Sequence, residues 1–325
     1  MSFSEDDLYN LTPEHAAFCR DLYERNKMKP VELYTPFPLE QNVLMFPSTL
    51  GGGGWGGLSW DPSLGLLFTN VNNLGQWGHM EKRAEGQPGT PYFRTSEYGS
   101  YARFWNVATK IPCTNPPFGE LVAIDTRTGD IAWRSPLGTI PALEALGVRN
   151  TGAPSLGGGI ATAGGLVFIA ATNDARFRAF ESRTGKLLWE QPIDANGHTI
   201  PITYLGKDGK QYVALMAGNG GGYFGGAPGD SLIAFALSDG PASEPARTQT
   251  TSINTAPIVL PDVPAKAVLT RSCGGACHGL ETVTTFRRDR AGWSAMIDTM
   301  ASRGAVLSAA DRQMILDYLT EHAGN

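Results

Sequence analysis

Ala123-Ile124-Asp125-Thr126-Arg127-Thr128-Gly129, running on to Trp133, decides the fold, because the chain writes it more than once. Ala179-Phe180-Glu181-Ser182-Arg183-Thr184-Gly185 leads to Trp189 at an offset of 56 residues, and a decayed third copy, Ala234-Phe235-Ala236-Leu237-Ser238-Asp239-Gly240, begins 55 residues after the second. Each copy is an apolar strand and a polar turn ending in glycine, and in the first two a tryptophan-bearing strand follows. A hairpin recurring at this period is the mark of a propeller or similar array, whose units bury their faces against one another. A tryptophan at a fixed place in the unit is expected to pack between neighbouring sheets.

Further strands surround these hairpins. Gly65-Leu66-Leu67-Phe68-Thr69-Asn70 resembles Gly165-Leu166-Val167-Phe168-Ile169-Ala170, and Gln211-Tyr212-Val213-Ala214-Leu215-Met216 is strongly β-forming. Leu39 to Gly240 holds about four blades at most, and an open ring leaves sheet edges exposed. The ring is therefore expected to be completed by blades outside this chain. Composition agrees: 40 glycines and 22 prolines, clustered between short apolar runs, favour strands and turns over long helices.

The two ends of the chain read differently. Thr12, Pro13 and Glu14 form a helix start, with the helix running to about Arg25 before Lys29-Pro30. Residues 241–265, rich in Pro and Thr, read as a linker, and residues 266–325 as a small all-α domain. In that domain Trp293, Met296, Ile297 and Met300 share one helix face, Gly304 is a stop, and Ser308 with Asp311 opens another helix.

Cys273-Gly274-Gly275-Ala276-Cys277-His278 is C-x-x-x-C-H, one residue longer than the usual haem c attachment motif. On a helix, thiols four residues apart lie within about 60° of each other in projection, so both can meet one porphyrin edge. His278 is then the proximal iron ligand and Met300 the second, with Met296 the rival and core filling its other reading. The same cysteines also admit a short disulfide or a metal site, the latter weakly, since His322 is the other nearby donor.

With 42% hydrophobic and 18% charged residues the chain can bury a core. A net charge of −5 without a long basic run excludes a nucleic-acid footprint or a polybasic membrane patch. The first ten residues lack the charged and apolar regions of a signal peptide. Four cysteines, two in the haem-like motif and two, Cys19 and Cys113, left over, nevertheless suit an oxidising compartment. A periplasmic protein whose signal peptide lies upstream of Met1 reconciles the two.

Leu11-Thr12-Pro13-Glu14-His15, Leu50-Gly51-Gly52-Gly53-Gly54-Trp55-Gly56-Gly57, Ala163-Gly164-Gly165-Leu166-Val167-Phe168 and Pro201-Ile202-Thr203-Tyr204 together resemble the C-terminal half of quinoprotein (PQQ-dependent) glucose dehydrogenase-like enzymes. The resemblance runs in order over residues 10–240. It implies a mainly β architecture: part of an eight-bladed PQQ-dehydrogenase propeller in residues 1–240, holding PQQ and calcium on its axis. It further implies oxidation of a sugar or alcohol hydroxyl, with the catalytic base and the calcium ligands in the absent half, so no catalytic residue is assigned.

Trp55 and Asp174 match positions near the PQQ pocket; a blade-core aromatic and a turn aspartate are their plainer readings. Gly54 departs from the family, which places there an asparagine that touches PQQ. The resemblance also sets Cys19 and Cys113 near one blade edge, implying a disulfide, with two separately buried thiols as the alternative. The helical tail resembles small cytochrome c domains fused to dehydrogenases. Together these imply a quinohaemoprotein dehydrogenase passing electrons from PQQ to haem c and a downstream acceptor. The alternative is a non-catalytic propeller that docks a haem c electron carrier.

Overall fold

The computed structural model describes the chain except residues 1–2, 33, 51, 86–89, 101, 220–228, 238–257, 259, 274–279, 281–282, 284–286, 303–304, 306 and 325, and the side chains of Cys273 and Ser302. The described residues form two compact units. One comprises Leu50–Asn73 and Pro116–Ile253, the other Met1–Thr49, Leu74–Asn115 and Asn254–Asn325.

The first unit contains three antiparallel blades. The first blade runs Ser59–Asp61, Leu66–Asn72, Gly119–Asp125 and Ile131–Pro136 in sheet order, and the second Gly159–Thr162, Leu166–Ile169, Arg176–Glu181 and Leu187–Pro192. The third has Ile202–Leu205, Gln211–Ala217 and Ser231–Ala236. Strand Leu66–Asn72 alternates buried and half-buried positions, as a strand with one face on a core must.

The repeats seen in the sequence are the third and fourth strands of successive blades. Both intact copies carry the same register shift, at Ala123/Ile124 and at Ala179/Phe180, and both set the tryptophan opposite the first alanine, Trp133 on Ala123 and Trp189 on Ala179. Leu66, Phe68, Leu121 and Ala123 of the first blade pack with Val167, Ile169 and Phe180 of the second, and Trp133 closes that core. Phe177, Ile193, Val213 and Leu215 build the next core, with Trp189 and Phe235 against it.

The tryptophan latches onto the next blade. Trp133 Nε1–H donates to Ser182 O at 3.0 Å, and Ser135 Oγ–H donates to Gly185 O at 2.6 Å. Only glycine fits at 185: a Cβ there would lie 2.5 Å from the indole, and φ is +71°. Gly129, its equivalent in the first blade, has the same kind of φ, +81°, but nothing within 4 Å among the described residues. The notch that Trp133 fills on the second blade is open on the first.

In the other unit, helix Pro13–Arg25 and the sheet segments Lys29–Pro30, Val43–Met45, Gln76–Lys82 and Tyr92–Thr95 surround an aromatic core of Phe3, Tyr23, Phe46 and Phe104. This sheet does not follow the blade connectivity; against an expectation of about four blades at most, the described residues form two four-stranded blades, one sheet of three strands and this irregular sheet. Thr12 holds the helix's N-cap position without capping it: its hydroxyl donates to Tyr9 Oη at 3.1 Å, correcting the sequence expectation. The tail has helices Pro264–Cys273, Arg290–Ser302 and Ala309–His322. Trp293, Ile297, Ile315, Leu316 and Leu319 share a core with Met296 packed against it, and Ser308 Oγ accepts from Asp311 N–H at 3.0 Å.

Candidate cofactor face

Around the ends of the blade strands and in the segments that connect them, buried asparagines lace the backbone together. Gly54 N–H donates to Asn70 O and Asn72 N–H to Gly52 O, both at 2.8 Å, tying the glycine run to the first blade. Asn72 then takes the place of a ladder rung: its Oδ1 accepts from Ser155 N–H at 2.8 Å and its Nδ2 donates to Ser155 O at 3.0 Å. Asn70 Nδ2 donates to Ser155 Oγ at 2.8 Å. Farther along, Ala171 N–H donates to Gly197 O, and Asn196 Nδ2 donates to Asn219 Oδ1 at 2.7 Å. Side-chain amides reproduce peptide geometry, so they can pair backbone where a sheet has ended.

Trp55 stands on this lacework. Gly57 N–H donates to Gly54 O at 3.2 Å, closing a turn whose tip is Trp55 and Gly56. The indole is 75% exposed, so it is no blade-core aromatic. Around it glycine is obligatory for close approach. A Cβ on Gly56 would collide with the backbone of Gly157 and Gly158, and one on Gly157 would come 2.5 Å from Thr199 O. A Cβ on Gly54 would lie 2.5 Å from Asn70 Nδ2. Asn70 thus fills the space a side chain at 54 would need, which is the physical reason for glycine there.

Asp174 is buried deeper than a turn aspartate. Its carboxylate pairs with the guanidinium of Arg178 and accepts from Thr139 N–H at 2.9 Å and Thr172 Oγ–H at 2.7 Å. Arg178, 3% exposed, also donates to Glu190 at 2.7 Å, and Arg176 bridges Glu190 to Glu144. Asp174 is therefore committed to structure on every side described. His198 lies close by. Its Nδ1–H donates to Ala171 O at 2.7 Å, which fixes the tautomer of the neutral ring. Burial holds its pKa below the usual histidine value, opposed in part by that hydrogen bond and by the Asp174 charge.

Cys19 and Cys113 are joined as a disulfide with Cα atoms 5.2 Å apart. Met300 is half-buried on the helix Arg290–Ser302. Cys277, His278, Gly304 and the Cys273 side chain lie outside the described residues. The buried Asn70, Asn72 and Ser155 and the half-buried His198 carry no mark in the sequence reading. The signal available was Asn70-Val71-Asn72, two amides on the buried face of an apolar strand.

An exposed indole bedded in glycine is a stacking platform for a flat ring, and a PQQ-like quinone fits it. Among the described residues no cluster of carboxylates converges, the one grouping of potential metal donors being His15, Cys19 and Cys113.

Comparison with known proteins bears on this geometry. The family model for the β-propeller domain of PQQ glucose/ethanol/alcohol dehydrogenases matches residues 1–213. A probable quinate dehydrogenase (quinone) of Xanthomonas campestris pv. juglandis is 38% identical over 255 residues, covering 73% of this chain and 32% of that protein. Quinoprotein glucose dehydrogenase A of Acinetobacter calcoaceticus is 34% identical over 250 residues, covering 73% of this chain and 31% of that protein. Among solved structures, a quinohemoprotein alcohol dehydrogenase from Comamonas testosteroni aligns with a TM-score of 0.47 at 20% identity, over 91% of this chain and 44% of that one. The chain spans about a third of the length of the curated relatives it matches.

Proposed function

The chain belongs to the β-propeller family of PQQ-dependent glucose, ethanol and alcohol dehydrogenases, and on that premise we propose that it forms the C-terminal arc of a periplasmic quinohaemoprotein dehydrogenase. The observation carrying this reading is Trp55, offered bare on a glycine bed where the Gly54–Gly57 turn meets the segments leading into the second and third blades. PQQ supplies the two-electron acceptor for a sugar or alcohol hydroxyl. This chain's part is to present the Trp55 face, hold it through Asn70, Asn72 and Ser155, and close the rim with the His198 segment. The base and calcium ligands belong to the remaining blades. Cys273, Cys277 and His278, together with Met300, would hold a haem c, which would supply one-electron transfer toward a downstream acceptor.

The first blade's outward face supports the need for further blades. Trp60, Leu67, Ile124 and Ile131 form one cross-strand row, with Trp60 58% and Ile131 46% exposed. The third blade exposes Tyr204, Met216 and Leu232 in the same manner. The experiment is to express the chain with the rest of the ring under periplasmic maturation and titrate PQQ against tryptophan fluorescence. Quenching that Trp55→Ala abolishes, together with haem that stays on the denatured chain and loses its low-spin spectrum in His278→Ala, supports the proposal. Quenching indifferent to Trp55, or haem released on denaturation, refutes it.

A further inference from the structure

Helix Pro13–Arg25 carries His15 and Cys19 one turn apart, and the segment ending at Cys113 runs against that face. His15 Nε2 lies 3.3 Å from Cys19 Sγ and 3.0 Å from Pro112 O. The three donor atoms of His15, Cys19 and Cys113 all fall within 4.8 Å of one another, in a pocket where both cysteines are fully buried and His15 is 8% exposed. Two sulfurs and an imidazole nitrogen are the donor set of a tetrahedral zinc site, whose donors stand about 3.5–3.8 Å apart at the usual bond lengths. The nitrogen–sulfur separation is already close to this. The sulfurs are held nearer only by their mutual bond, and Cys rotation after cleavage supplies the rest.

We propose that this is a redox-conditional metal site: closed as a disulfide when oxidised, and binding Zn(II) or an ion of like softness through His15, Cys19 and Cys113 when reduced. A dithiol reductant opens it by exchange. The Cys19–Cys113 bond breaks, the two cysteines gain two electrons and two protons, and the reductant becomes its own disulfide. Metal binding then releases both thiol protons, leaving two thiolates and a neutral imidazole on the ion. In the disulfide form His15 Nε2–H donates to Pro112 O at 3.0 Å, so metal binding replaces this hydrogen bond and the neutral ring carries its proton on Nδ1 instead. Oxidation state thus chooses between two cross-links of the same helix to the same segment. The proposal does not rest on the dehydrogenase reading.

The test uses the full chain with Cys273→Ser and Cys277→Ser, which removes the tail thiols. After dithiol reduction and anaerobic removal of the reductant, Co(II) and Cd(II) are titrated. One equivalent should bind with a sulfur-to-metal charge-transfer band, and re-oxidation should abolish it. His15→Gln should weaken binding by roughly a hundredfold, since even outer partners of ligands are worth about 10–100-fold. X-ray absorption of the zinc-loaded protein should show two sulfur neighbours and at least one imidazole, a readout that holds if His15→Gln fails to fold. No binding after reduction, equal binding by the oxidised chain, or a shell without sulfur or without imidazole overturns the proposal.

Discussion

Asp174 and Arg178 lie four residues apart, both out of reach of solvent, and each satisfies the other's charge. Removing one partner leaves the other's buried charge short of a contact, Arg178 with Glu190 alone as counter-charge and Asp174 with only Thr139 and Thr172, whereas removing both takes the two charges away together. Asp174→Asn should therefore lower unfolding free energy by about 3 kcal/mol in a denaturant titration, and Arg178→Met should recover part of that loss in the double variant. His15 and His198 give a second residue-scale expectation. Burial is the main cause holding both below the ordinary histidine value, so the unfolded chain takes up protons that the folded chain refuses. Stability contributed by these rings is complete above about pH 6.5 and is lost as pH falls below it toward their folded values. Urea midpoints measured from pH 7.5 down to 5 should drop, and His198→Gln should flatten the slope.

Blades, at the scale of elements, are joined by a tryptophan seated on a glycine turn. Gly185→Ala must displace the Trp133 indole and adopt an unfavourable positive φ, while Gly129→Ala faces only the latter, about 1–2 kcal/mol. The first should cost more than the second by roughly 1–3 kcal/mol, measured as a difference in unfolding midpoints. Trp133→Ala should cost on the order of 3 kcal/mol. This much was legible in the sequence, because the hairpin, its turn and its tryptophan recur at fixed spacing and side-chain pattern alone specifies them. The exposure of Trp55 was not, since a glycine-flanked tryptophan suits a core or a surface equally until its turn is seen. The asparagine lacework was hidden for a related reason: its partners, such as Asn72 and Ser155, are 83 residues apart and no local pattern marks them.

At the scale of the whole molecule, the first and third blades expose apolar side chains such as Trp60, Ile131, Met216 and Leu232 among the described residues. Purified residues 1–325, supplied with PQQ and calcium, should reduce no dye with any sugar or alcohol, and added remaining blades should restore turnover. Dye reduction by the chain alone would overturn the division of labour between the two parts. The path of the chain through the first blade has its own consequence in time. Strands Leu66–Asn72 and Gly119–Asp125 are neighbours in the sheet, yet the chain builds Leu74–Asn115 into the other unit between them. Strands of the second blade, by contrast, follow one another directly. Pairing across so long a closure is entropically slow, whereas successive hairpins form from near contacts. Folding should thus begin at the second blade, and pulse-labelled amides of Phe168 and Ala179 should gain protection before those of Phe68 and Ala123.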